Sequence, residues 1–147
     1  MQIKFDAVSY LKEHDIKPSV QRIAIVNYLY AHRMHPTAED VFAALLPQIP
    51  TLSRTTVYNT LNLFVEHDAV QMLNINAKSV HYDIDMQKHA HFCCTTCGRL
   101  FDLFADSVKV PEVHLPDDFV GNSVQLYITG VCAECNKKTT SSINTNN

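Results

Sequence analysis

The stretch "SRTTVYNTLNLFVEHDAVQMLNINAKSVHYDID", residues 53–85, changes its hydrophobic period part-way, and that change decides the fold. Up to Glu66, apolar side chains recur at Val57, Leu61, Phe64 and Val65, the spacing of one helix face. The helix starts at Ser53. Then come "AVQMLNI" (69–75) and "SVHYDID" (79–85), two short runs of β-forming residues joined by "NAK". They read as a hairpin.

Three more helices are predicted on the N-terminal side. "FDAVSYLKEH" (5–14) places Phe5, Val8 and Leu11 at helical spacing. "IKPSVQRIAIVNYLYAH" (16–32) offers Ser19 as a cap and Ile23, Val26 and Tyr30 as a buried stripe, with Tyr28 also assigned to the core. In "HPTAEDVFAALLPQIP" (35–50), Thr37 and Asp40 form a capping box and Pro47 stops the helix. Helices followed by a two-stranded hairpin make the winged helix-turn-helix plan, which predicts a DNA-binding domain over residues 1–85.

Beyond it the runs "HFCC", "RLFDLF" and "VQLYITGVC" are strand-like, and Pro111 and Pro116 confine any helix between them to a short piece. A small second α/β domain is therefore expected over 86–138. The polar end "KKTTSSINTNN" predicts a disordered tail over 139–147. The class is α+β.

Composition sets outer limits. The chain has 147 residues, 46% of them apolar, enough for a sizeable core. Its apolar runs are too short to cross a bilayer, and its first residues lack a secretory pattern. A soluble, cytoplasmic protein with no membrane partner is expected. The net charge of -3 is uneven: residues 1–80 hold seven Lys/Arg against seven Asp/Glu, and 81–147 hold five against eight. Any DNA-facing basic patch in the first half must be local.

The five cysteines carry the strongest chemical signal. Cys94-Thr-Thr-Cys97 and Cys132-Ala-Glu-Cys135 are two CxxC knuckles, each followed by a turn-forming residue, Gly98 or Asn136. Four thiolates close a tetrahedral cage that suits a structural Zn(2+). The competing reading is a thiol–disulfide enzyme, whose CxxC sits at a helix start in a βαβ setting that the pattern lacks. Cys93 is left over and reads as a buried apolar residue, its side chain opposed to that of Cys94 on a strand.

A second donor set is less specific. His89 and His91 are i and i+2 and share a strand face, with Asp102, Asp83 and His35 elsewhere in the chain. Imidazoles with carboxylates suit Fe(2+), Mn(2+) or zinc. The same pattern fits a solvated histidine pair and a surface aspartate, and spacing alone does not choose.

Taken together, "KPSVQRIAI" (17–25), "HPTAEDVF" (35–42), "SRTTVYNTLNLFVEHDAV" (53–70), "HYD" (81–83), "HAHFCCTTCG" (89–98) and "GVCAEC" (130–135) resemble the ferric uptake regulator (Fur) family. The likeness runs nearly the whole length to about residue 138. It implies a homodimeric, metal-dependent repressor on double-stranded operator DNA, with a winged helix and a zinc-stapled dimerisation domain. By the resemblance, structural zinc falls on Cys94, Cys97, Cys132 and Cys135. A regulatory Fe(2+) or Mn(2+) falls on His35, Asp83, His89, His91 and Asp102. Aspartate at both acidic positions, where iron sensors usually carry glutamate, points to the peroxide-sensing PerR branch.

In that branch a ligating histidine is oxidised, which is self-modification rather than turnover, so no enzyme is expected. The alternatives are an iron- or zinc-level sensor and a cysteine-based redox switch. Ser123 and Val124 stand where some iron regulators carry a further histidine, so that extra metal site is not expected. The reading helix is 54–66, and Arg54, Thr55, Thr56, Tyr58 and Asn59 are DNA-contacting types. The resemblance gives Tyr58 to bases, Lys17 to the minor groove, and Gln21 and Arg22 to the backbone. Arg22 fits an intrachain ion pair equally well.

Overall fold

The computed structural model describes residues 4–76, 79–87, 89–104, 109 and 111–143. It divides into two compact units, Met1–Met86 and Gln87–Asn147.

The first unit runs α1 (Ala7–Glu13), α2 (Val20–Ala31), α3 (Ala38–Leu45), α4 (Arg54–Glu66), β1 (Gln71–Asn76) and β2 (Ser79–Asp83). Each helix starts on an oxygen-bearing side chain that satisfies a first-turn amide. Asp6 accepts from Val8 and Ser9, Ser19 from Arg22, and Ser53 from Thr56. Thr37 and Asp40 form a reciprocal capping box. The core is built from Leu11, Ile25, Val26, Leu29, Val41, Val57, Leu61 and Phe64, all at most 1% exposed.

One expected stripe is displaced. On α2 the buried row is Ile25, Val26 and Leu29 rather than Ile23, Val26 and Tyr30. Two apolar rows compete on this helix, and packing against the other helices selects the first. Tyr30 stays exposed, stacked on Phe5 with Arg33 over its ring, and Tyr28 lies half-buried against His32.

Strands β1 and β2 pair antiparallel, with Gln71 opposite Asp83 and Leu73 opposite His81, and an irregularity between Leu73 and Asn76. Of the expected connection 76–78, residues 77 and 78 lie outside the described ones. Tyr10 donates to the Ala69 carbonyl at 2.6 Å, tying α1 to the base of the hairpin. The α2–α3 connection is laid along β2: the Tyr82 amide donates to Pro36 at 3.0 Å, and Thr37 bridges His81. That connection carries His35.

The second unit is a three-stranded sheet in the order β4-β3-β5, followed by α5 (Ala133–Ile143). Its central strand β3 (Ala90–Cys94) is antiparallel to β4 (Leu100–Leu103) and parallel to β5 (Tyr127–Gly130). Among the described residues between β4 and β5 there is only a turn at Asp117–Asp118, between the two prolines' end of the segment and β5.

The tail differs from expectation. Residues 139–143 belong to α5, and 144–147 lie outside the described residues. The polar composition had suggested disorder, but the hydroxyls are absorbed locally. Thr139, Thr140 and Ser141 donate to the carbonyls of Cys135, Asn136 and Lys137 at 2.9–3.1 Å. Among the described residues no helix is long and apolar enough to cross a membrane.

Candidate metal centres

Cys94 ends β3, and Gly98, with φ at 76°, turns the chain back toward β4. The hydroxyl and amide of Thr95 both donate to the Gly130 carbonyl, which clamps this knuckle to the end of β5. Cys132 immediately precedes α5 and Cys135 lies in its first turn. As a result the sulfurs of Cys94, Cys97, Cys132 and Cys135 lie within 4.8 Å of one another. Phe92 and Phe101 pack against them.

This geometry fits a tetrahedral ion. Zinc–sulfur bonds of about 2.3 Å put neighbouring sulfurs about 3.8 Å apart, and Cys97 and Cys132 stand at 3.9 Å. The charges agree. Amides of Cys132 and Cys97 donate to the Cys94 sulfur at 3.3 and 3.5 Å and hold its thiol down at about 5. The Arg99 guanidinium lowers Cys97. Hydrogen bonding to the Cys132 sulfur pushes Cys135 up to about 12. Four sulfurs this close cannot all ionise without a cation among them.

Spacing did not single out Arg99. It also pairs with Glu134, inside the second knuckle, so one guanidinium links both CxxC turns. Cys93 is outside the cage, buried, with its thiol raised by desolvation. That matches a packing role.

The nitrogen and oxygen donors form a pair in the first unit and a trio in the second. In the first unit His35 Nε2 lies 3.3 Å from Asp83 Oδ2, with both residues buried. His35 has a left-handed backbone, φ 57°, which a non-glycine residue adopts only when its surroundings impose it. In the second unit His91 and Asp102 are direct cross-strand partners on β3 and β4. One oxygen of Asp102 meets His91 Nε2 at 3.4 Å and His89 Nε2 at 3.1 Å. Phe104 stacks on His89. Donors bound to one ion at about 2.1 Å stand roughly 3 Å apart, so the spacings inside each group, taken separately, suit metal donors.

A family profile described as "Ferric uptake regulator family" matches residues 13–129. The chain belongs to the ferric uptake regulator family. It is 36% identical to the peroxide operon regulator of Bacillus subtilis (strain 168) over 90% of this chain and 93% of that one. The Streptococcus pyogenes PerR structure, described as a basis for peroxide sensing and gene regulation, is 26% identical. It aligns with a TM-score of 0.50 over 89% of this chain and 94% of that one. The Helicobacter pylori ferric uptake regulator Fur shares the fold, with a TM-score of 0.65 over 92% and 97% of the two chains at 18% identity.

The residues expected to contact DNA lie on α4 and at or just ahead of the start of α2. Thr55, Tyr58 and Asn59 are exposed on α4, and Thr56 is half-buried with its hydroxyl 2.8 Å from that of Ser53. Arg54 is engaged within the fold, 2.9 Å from Glu39 and over the Phe42 ring. Lys17 is exposed and Gln21 half-buried. Arg22 donates to the Lys17 carbonyl at 2.7 Å, an intrachain contact to the backbone rather than to an acidic side chain.

Proposed function

We propose that this Fur-family chain is a metal-dependent transcriptional repressor that releases operator DNA on exposure to peroxide. The observation that carries the reading is the pairing of imidazole Nε2 atoms with short carboxylates, Asp83 in one unit and Asp102 in the other. It is supported by 36% identity to a protein named as a peroxide operon regulator.

In this reading His35 and Asp83 from the first unit, with His89, His91 and Asp102 from the second, bind one divalent ion. Binding by both units sets the angle between them. The four cysteines hold zinc and keep β3, β5 and α5 stapled. A second copy of the chain covers the apolar side chains exposed in the second unit, among them Leu115, Phe119, Val120 and Val124. In the homodimer, two α4 helices must enter major grooves one turn apart, about 34–36 Å. A fixed unit angle therefore becomes operator affinity through preference for one conformation. Thr55, Tyr58 and Asn59 read base edges, while Arg54, Thr56, Lys17, Gln21 and Arg22 engage the backbone and minor groove. The setting is the cytoplasm.

Fe(II) held by these residues would supply the redox chemistry that opens the peroxide O–O bond, which Mn(II) would not. The imidazole of His35, His89 or His91, as the group nearest the oxidant, would give up the two electrons: one peroxide oxygen would end on a ring carbon, the other would leave as water, and the iron would return to Fe(II). An oxygenated imidazole is a poor donor, so the two donor groups part and the preferred angle is lost.

The test is operator binding by Fe(II)- and Mn(II)-loaded protein before and after dilute peroxide, followed by peptide mass spectrometry. Release by the iron form alone, with one added oxygen on a peptide holding His35, His89 or His91, is expected. Equal behaviour of the two forms would instead describe a sensor of metal level. A response abolished by Cys93→Ser would describe a thiol switch.

A further inference from the structure

We propose that His81 is a positioning residue for the His35–Asp83 pair: its ring holds the His35 backbone in the strained form that aims the imidazole at Asp83. This rests on the reading above, in which that pair binds the regulatory ion.

His81 stands outside the set of five candidate ligands. It is two residues before Asp83 on β2, so both side chains leave the same face of the strand. Its Nδ1 lies 2.6 Å from the His35 carbonyl oxygen and its Nε2 lies 3.0 Å from the Ser79 hydroxyl. A carbonyl only accepts, so Nδ1 carries the proton and donates. In a neutral ring Nε2 then accepts from Ser79. The two partners fix the tautomer and the ring plane together.

The restraint falls where the chain needs it. His35 has φ 57°, and Pro36 follows, which has no amide to contribute a hydrogen bond. The connection is held instead by three contacts from β2: the His81 ring on the His35 carbonyl, the Tyr82 amide on Pro36, and the bridge between His81 and Thr37. Two of these involve the backbone and survive substitution. The ring contact is the one set by side-chain identity, and it acts on the peptide group of the candidate ligand itself. Asp83 is the last residue of β2, and its Oδ1 accepts from the Asp85 amide just beyond the strand at 2.8 Å. One strand thus orients both members of the pair.

The experiment measures Mn(II) affinity of zinc-loaded protein, following free aqueous Mn(II) by electron paramagnetic resonance. His81→Leu removes the donor, whereas His81→Asn places an amide N–H near the position of Nδ1. Loss of an outer-sphere partner of this kind typically weakens metal binding by roughly 10–100-fold. A loss in that range is expected for His81→Leu, with most of it restored in His81→Asn. Wild-type affinity in His81→Leu, or equal losses in the two variants, would overturn the proposal. Nitrogen-15 NMR of the metal-free wild type gives a test that no variant's folding can obscure: a proton on Nε2 of His81 rather than Nδ1 would overturn it as well. His35→Ala, run in parallel, separates the failures. If it too binds Mn(II) normally, the pair is not the ion's seat and both claims fall. If it loses the ion while His81→Leu does not, only the role of His81 falls.

Discussion

Removing zinc from the four-cysteine cage is expected to unfold the Gln87–Asn147 unit and leave the Met1–Met86 unit folded. The size of the effect follows from what surrounds the sulfurs. The apolar cluster there consists of Cys94, Cys132 and Cys135, with Phe92 and Phe101 packed against them and only half-buried. Two half-buried phenylalanines contribute on the order of 3 kcal/mol together. A structural zinc contributes ~10–16 kcal/mol at neutral pH, and a whole domain is typically stable by only ~5–15 kcal/mol. Loss of the ion therefore removes more than the apolar cluster around it supplies. The first unit has its own core, running from Ala7 on α1 to Ile84 beyond β2, and no cysteine takes part in it.

The assay is hydrogen exchange with peptide-level readout, on zinc-loaded protein and on protein stripped by a strong chelator, with Cys135→Ser as a second route to the same state. Amides of β3, β4, β5 and α5 should lose protection almost completely, while those of α2 and α4 keep theirs. Retained protection across β3 and β5 in zinc-free protein would refute the reasoning. The cage would then be ornamental to folding, and its stapling role would have to be abandoned.

Other perturbations probe the remaining parts. Asp102→Asn takes a charge from the one oxygen that meets both His89 and His91, and Mn(II) affinity should fall by about tenfold or more, the equivalent of ~1.5–3 kcal/mol for a charge-assisted contact. Tyr10→Phe removes the bond to Ala69 and should cost ~0.5–1.5 kcal/mol in urea unfolding at neutral pH. Burial raises the Tyr10 phenol above its ordinary value of 10.0, so the wild type's advantage is fully present below about pH 10 and is lost as pH rises through the raised folded value, a slope the variant should lack. Arg54→Ala breaks an exposed pair with Glu39, so unfolding should change by less than ~1 kcal/mol. If Arg54 also meets a phosphate, the salt dependence of operator binding should flatten by about one ion.

Much of the first unit was legible because its signals are local. Ser19 and the Thr37–Asp40 box cap helices by bonding to amides three residues away, so spacing alone reveals them. The α2 stripe was misread because two apolar rows on one helix have equal local merit, and only contacts with other helices distinguish them. The end of α5 was misread for a related reason: composition reports that a segment is polar, not that its hydroxyls close back on the helix. The gathering of the four sulfurs was legible because a CxxC turn carries its own geometry. The roles of His81 and Arg99 were not. Each acts on a residue more than 30 positions away, the His35 carbonyl in one case and Glu134 in the other, and only strand register brings such groups together.

Register also explains how "HAHFCC" can serve two centres at once. On β3, His91 faces the same side as Cys93, and its cross-strand partner is Asp102. Phe92 and Cys94 face the other side, where Phe92 opposes Phe101 against the sulfurs. Close approach there depends on Gly130, since a Cβ at that position would come within 3.2 Å of the Phe92 ring. The two chemistries are thus separated by side-chain parity rather than by distance along the chain, and exchanging neighbours should be as damaging as deleting a ligand. The double substitution His91→Phe with Phe92→His keeps composition, length and net charge. It turns an imidazole toward the cage and a phenyl ring toward Asp102. Mn(II) affinity should fall at least as far as in Asp102→Asn, and zinc content should fall less, because all four cysteines keep their places. Wild-type Mn(II) binding by the exchanged protein would mean that strand parity does not direct these donors.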